Sequence, residues 1–128
     1  MATFKLKKIE QVKGNNEFYE LIKDGRNEFE EFCSQIEGEG QYYSELKTLF
    51  TLFDHAANQL PLPKNKCKDI TPKKEDVKEH EFKTRHLRAY SFQDKGTGKI
   101  VVCAGTKNTQ KSDIKHFRKL KKEYLNNR

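Results

Sequence analysis

The sequence predicts an α+β fold, a small antiparallel β-sheet packed with an N-terminal helical hairpin and a C-terminal helix. Three observations lead there. Two segments of the first half repeat apolar residues at three- and four-residue steps, two β-prone runs of the second half flank a Gly-containing turn, and the chain then returns to a helical period with one basic face. At 128 residues and 15.1 kDa the chain is read as one domain, 1–128. An apolar share of 34% is low, but nine Phe and five Tyr supply bulky core material, so a folded chain is expected.

The opening FKLKKIEQV alternates imperfectly, with Phe4 and Leu6 on one side, and reads as a strand. EFYELI, residues 17–22, either pairs with it across KGNN or forms a short helical turn, and the strand is the better fit. Asn27 then offers an N-cap with Glu30 at the third helical position, ahead of Phe29, Phe32, Cys33 and Ile36 on one stripe, and Gly38 and Gly40 stop the helix. From Gln41 to about Leu60, Tyr43, Leu46, Phe50, Phe53, Ala57 and Leu60 share a face of a second helix, which Pro61 and Pro63 end. The short link makes the two helices an antiparallel hairpin whose apolar faces need a further layer.

Residues 64–80 are polar and lysine-dense around Pro72 and read as a loop with no fixed element. EFKTRHLRAYSF, QDKGTG and KIVVCAG follow as a hairpin, the first strand carrying His86, Arg88, Tyr90 and Phe92 on one face and Leu87, Ala89 and Ser91 on the other. After KNTQK, a cap at Ser112 starts the last helix, with Ile114, Phe117, Leu120 and Tyr124 inward and Lys115, Arg118, Lys119 and Lys122 toward solvent.

Net charge is +7, unevenly spread: residues 1–63 hold 7 Lys+Arg against 11 Asp+Glu, and residues 64–128 hold 19 against 8. Such a concentration attracts polyanions, nucleic acid or an acidic protein segment, unless it is simply a solvated surface. Three cysteines without a C-x-x-C pair indicate neither a disulfide framework nor a thiolate metal knuckle. Cys33 and Cys103 read as buried small hydrophobes, while Cys67, between two lysines, is open to a lowered pKa. His55, His80, His86 and His116 pair with no ligand at a metal spacing, GTGK lies in a hairpin turn and not before a helix, and neither a metal nor a nucleotide cofactor is expected. With no signal peptide and no apolar run long enough to span a bilayer, a cytoplasmic protein without membrane partners is expected.

The ordered set EFKTRHLRAYSF, QDKGTG, KIVVCAG, KNTQK and DIKHFRKLKKEYL resembles the C-terminal half of the RelE/ParE toxin superfamily, in particular its HigB-like and phage-encoded group. The motif match covers about the last 45 residues; the rest agrees in element order, including FEEF in the first helix. The resemblance implies a RelE-like domain, a ribosome-dependent mRNA endonuclease, and silencing by a cognate antitoxin that is itself a small DNA-binding protein. It places Arg88 on the family's strand arginine and Lys107 and Lys111 on the lysines after the last strand, with Lys83, Arg85, His86 and Tyr90 flanking. The loop reads K-N-T-Q-K where many relatives carry adjacent lysines. Two alternatives stand beside it: a ParE-like gyrase inhibitor, and a non-catalytic RNA- or protein-binding module.

The residue types suit metal-free RNA cleavage, which needs an activated 2′-OH, a stabilised phosphorane and a protonated leaving oxygen. Arg88 would hold phosphate oxygens, Lys107 and Lys111 would stabilise charge or exchange a proton, His86 would act as acid or base, and Tyr90 would stack on a base or donate a proton. Lys83, Arg85, Lys115, Arg118 and Lys119 would track the RNA backbone.

Overall fold

The computed structural model describes residues 2–127. Six strands and three helices follow in the order β1 (Phe4–Lys8), β2 (Phe18–Lys23), α1 (Glu28–Glu39), α2 (Tyr43–Ala57), β3 (Cys67–Asp69), β4 (Glu79–Lys83), β5 (Leu87–Asp94), β6 (Gly98–Thr106) and α3 (Gln110–Asn126), with a single 3₁₀ turn, Lys107–Thr109, before α3. The strands form one sheet in the order β1-β2-β6-β5-β4-β3.

The sheet is mixed rather than antiparallel. β2 is a strand, antiparallel to β1 as its sequence suggests, but it then runs parallel to β6, with Phe18 opposite Lys99 and Glu20 opposite Val101. β6 is thereby central, which explains why Ile100, Val101 and Val102 are consecutively apolar: Val101 faces α1 and α2, and Ile100 and Val102 face α3. The first core joins Phe29, Ile36, Leu49 and Phe53 of the helical hairpin to Phe18, Phe82, Leu87 and Ala89 of the sheet. The second joins Phe117 and Leu120 of α3 to Leu21, Tyr90, Phe92 and Cys103.

Helix starts and stops are local where the sequence marks them. The Asn27 side chain accepts the Glu30 N–H at 3.0 Å, and Gly40 ends α1 in the left-handed region at φ 78°, its N–H donating to Ile36. α2 is shorter than its apolar period suggests; Tyr43 and Leu60 are exposed, and Leu46, Leu49, Leu52, Phe53 and Ala57 form its buried face. α3 starts at Gln110 rather than at a Ser112 cap, since the 3₁₀ turn feeds into it and the Ser112 hydroxyl donates to the Thr109 carbonyl.

Two further expectations are corrected. The 64–80 segment is not without structure: Cys67–Asp69 pairs with Phe82, Glu81 and His80 as a short edge strand. Residues 81–92 are not one strand, because Thr84, Arg85 and His86 turn the chain between β4 and β5, which pair antiparallel with Lys83 opposite Arg88. His86 therefore leaves the strand face it was expected to share with Arg88 and Tyr90.

Candidate active site

The turn between β4 and β5 is where the candidate residues gather. It is closed by the Thr84 N–H donating to Leu87 at 3.1 Å and by the Leu87 N–H donating to the Thr84 hydroxyl at 3.1 Å. Glu45, in the first turn of α2, reaches into it. One oxygen, Oε1, accepts the Thr84 hydroxyl and, at 2.7 Å, the His86 N–H; the other, Oε2, lies 2.6 Å from His86 Nδ1. The Tyr42 ring stacks on the imidazole, centroids 4.7 Å apart and planes 25° from parallel. The result is an imidazole fixed at one nitrogen and one face, with its side chain 30% exposed.

Burial alone would raise the Glu45 pKa, but hydrogen bonds from Thr84 and from the side chain and backbone of His86 outweigh it and hold the carboxyl below its ordinary range. Glu45 is therefore a carboxylate at neutral pH, able only to accept.

Arg88 begins on the same turn. Its Nη1 donates to the Thr84 carbonyl at 2.6 Å and to the Leu87 carbonyl at 2.8 Å, while Nε is buried without a partner among the described residues. The guanidinium is half-buried and forms no ion pair among the described residues. Lys107 joins from β6: its N–H donates to the His86 carbonyl at 2.8 Å, so the start of the 3₁₀ turn is tied by backbone to the imidazole residue. The Asp113 side chain of α3 lies over Gly105 of β6, where a Cβ would come within 2.0 Å of its carboxylate, so a larger residue there would have to displace that side chain. Lys111 follows in the first turn of α3, exposed.

The wider cationic set divides. Lys83 is half-buried beside Arg88, and Arg85, Lys107, Lys111, Lys115 and Lys119 are exposed. Among the described residues none of them forms an ion pair, whereas Lys7, Lys8, Lys23 and Arg26 in the first half are each paired with a glutamate. Arg118 leaves this set: its Nε donates to Glu79 at 3.0 Å and an Nη to the Ile70 carbonyl at 2.7 Å, so its guanidinium, though partly exposed, is committed to bracing the 70–79 segment.

Tyr90 is a second correction. It is fully buried against Phe117, and its hydroxyl lies near Glu81 without a well-formed hydrogen bond among the described residues; burial, with the Glu81 and Asp113 carboxylates, pushes its pKa up. It can neither stack on a base nor give up a proton near neutral pH, and Tyr42 is the aromatic at the imidazole. Cys67 is corrected too, since burial raises its pKa more than the neighbouring Lys99 lowers it. Burial likewise pushes the Cys33 thiol up to about 12, as suits an inert core residue.

Sequence reasoning missed Glu45, Tyr42 and Thr84. A signal existed for the first: Tyr42, Glu45, Leu46 and Leu49 follow the spacing of one helix face, so Glu45 is a carboxylate on a stripe of core positions. Among the described residues no three His, Cys, Asp or Glu side chains converge to hold a metal ion, and no helix is long and apolar enough to cross a membrane. The chain matches no protein-family model, no curated protein and no solved structure.

Proposed function

We propose that this chain is an mRNA endonuclease of the RelE/ParE type, the toxin of a type II toxin–antitoxin pair acting on ribosome-bound message in the cytoplasm. The observation that carries the reading is the oriented imidazole of His86 on the β4–β5 turn, the same turn whose Thr84 and Leu87 carbonyls hold the Arg88 guanidinium and whose His86 carbonyl takes the Lys107 N–H. These are the three functions that metal-free RNA cleavage requires. His86 removes the 2′-OH proton as that oxygen attacks the adjacent phosphorus. Arg88 and Lys107 offset the charge that builds on the non-bridging oxygens. The P–O5′ bond breaks, the leaving oxygen takes a proton from an ammonium such as that of Lys111, and the products are a 2′,3′-cyclic phosphate and a 5′-hydroxyl.

Among the three readings, inhibition of gyrase or simple binding would need no proton-transfer group, so an imidazole held by a carboxylate favours the nuclease. The unpaired lysines of α3, spaced by four residues and so about 6 Å apart along the helix, suit a polyanion backbone. The same uncompensated surface suits an acidic, partly disordered antitoxin segment that orders on it and competes with RNA.

The test is 5′-end mapping of mRNA incubated with ribosomes and the purified chain. New 5′-hydroxyl ends are expected, and His86→Ala or Arg88→Ala should slow their appearance by about 100-fold or more while circular dichroism stays unchanged. Ends bearing 5′-phosphate, or full activity in both folded variants, would overturn the proposal.

A further inference from the structure

We infer that Glu45 is the positioning residue of this site: its carboxylate holds His86 as the Nδ1–H tautomer and leaves Nε2 as the atom that exchanges protons with substrate. The identity of that substrate rests on the RNA-cleaving reading; the geometry does not.

The two oxygens of Glu45 divide the work. Oε1 accepts the Thr84 hydroxyl and the His86 N–H, and a backbone N–H can only donate, so this oxygen is committed. That fixes the carboxylate plane and sets Oε2 at 2.6 Å from Nδ1. An ionised carboxylate has no proton to give, so the proton between them belongs to the imidazole. Stacking on Tyr42 holds the ring plane, and Nε2 has no hydrogen-bond partner among the described residues. A neutral His86 thus presents a bare Nε2 lone pair, suited to take the 2′-OH proton. A protonated His86 presents Nε2–H, suited to return one.

Glu45→Gln tests this sharply, because an amide replaces one acceptor oxygen by an NH₂ donor. If Gln keeps its oxygen on Thr84 and the His86 N–H, its NH₂ faces Nδ1 and forces the proton to Nε2. The measurement is ¹⁵N NMR of histidine-labelled protein at a pH where His86 is neutral, its signals identified as those missing from His86→Ala. Wild type should show a protonated Nδ1 and a bare Nε2, and Glu45→Gln the reverse.

In ribosome-dependent cleavage, Glu45→Gln should lower kcat by about tenfold or more with KM within about twofold. Added to His86→Ala it should lower kcat no further, since it acts only through the imidazole. A purely structural Glu45 would instead multiply the two losses. An Nε2–H tautomer in the wild-type protein, or multiplying losses, overturns the inference; the wild-type spectrum decides even if Glu45→Gln does not fold. A chain with the Nδ1–H tautomer that leaves all RNA intact would sink the nuclease reading and uphold the Glu45 assignment. Cleavage with the other tautomer would do the opposite.

Discussion

Two lysines are buried in this protein, one on each face of the sheet, and they are treated in opposite ways. Lys121 of α3 is 2% exposed and Lys99 of β6 is 7% exposed. The Lys121 ammonium spends its three protons on Glu79 at 2.8 Å, Glu75 at 2.9 Å and the Val77 carbonyl at 2.9 Å. Among the described residues the Lys99 ammonium forms no ion pair, Asp69 acting on it only at longer range, and it meets His80 Nδ1 at 3.0 Å. Burial lowers the Lys99 pKa, and the same burial together with the Lys99 charge pushes His80 down to about 4. A buried cation is therefore not one kind of feature. On the α3 face it joins α3 to the segment leading into β4, and on the other face it forces a neighbouring imidazole to stay neutral.

The comparison breaks most visibly at Lys121. Lys121→Met would leave Glu79, fully buried, with Arg118 as its one remaining cation, and would free Glu75 and Val77 from α3. Removing one partner of a buried pair strands the other charge, so a loss of roughly 3–5 kcal/mol in urea unfolding is expected. A loss below about 1 kcal/mol would mean that Arg118 alone satisfies Glu79 and that Lys121 is no better compensated than Lys99.

Lys121 also marks where the sequence was legible and where it was not. The α1 start and stop needed only neighbours in the chain, Asn27 with Glu30 and Gly40 with Ile36, and both are present as the sequence implies. The inward face of α3 was read from Phe117, Leu120 and Tyr124, yet Lys121 completes that same spacing and points inward too. A lysine reads as solvent unless its partners are known, and Glu75 and Glu79 lie in a segment that composition alone marks as loop. β3 was hidden for the same reason: three residues have no periodicity, and their pairing is supplied by β4. The parallel contact of β2 with β6 joins strands about 80 residues apart in the chain, a tertiary fact that no local pattern encodes. At the site, Arg88, Lys107 and His86 were visible as residue types, but the turn at 84–86 takes His86 off the expected strand face, and Tyr90, named as a flanking candidate, is covered by Phe117 of α3, a tertiary contact that its own segment does not mark. Glu45 was 41 residues from the imidazole it binds.

Acid should sharpen the comparison, with a smaller effect than loss of Lys121. His80 has a folded pKa of about 4 against an ordinary 6.5, so between these values the unfolded chain binds a proton that the folded chain refuses. Stability is therefore full above about pH 6.5, falls as pH drops toward 4, and loses nothing more from this group below that. Lys99 and Lys78 oppose protonation of His80 while Asp69 favours it. Glu45 and Asp69, whose pKa values are lowered, lose their contributions only below the ordinary carboxylate range, so the upper part of the acid window belongs to His80. Melting temperatures from pH 7.5 to 5 should fall in the wild type and stay level in His80→Gln. Equal slopes in the two proteins would show that some other group carries the loss.

The smallest effect is expected at Lys99 itself, and its sign is the informative part. Lys99→Met keeps the length of the side chain and removes a charge that no ion pair offsets and that Asp69 compensates only in part, so the desolvation cost of the ammonium disappears. Against this, His80 Nδ1 loses its donor, at a cost of about 1 kcal/mol for an ordinary hydrogen bond. Buried charges replaced by well-packed apolar side chains are commonly neutral to stabilising, and the net expectation is a gain of about 1 kcal/mol in urea unfolding at pH 7.5. At pH 5 the gain should be larger, because one of the two main causes holding His80 neutral, the Lys99 charge, is gone while the other, burial, remains. The variant should therefore keep a weakened acid sensitivity rather than lose it. A loss of stability at pH 7.5 instead would mean that Lys99 is compensated after all, and that the contrast with Lys121 is one of partner chemistry rather than of satisfied against unsatisfied charge.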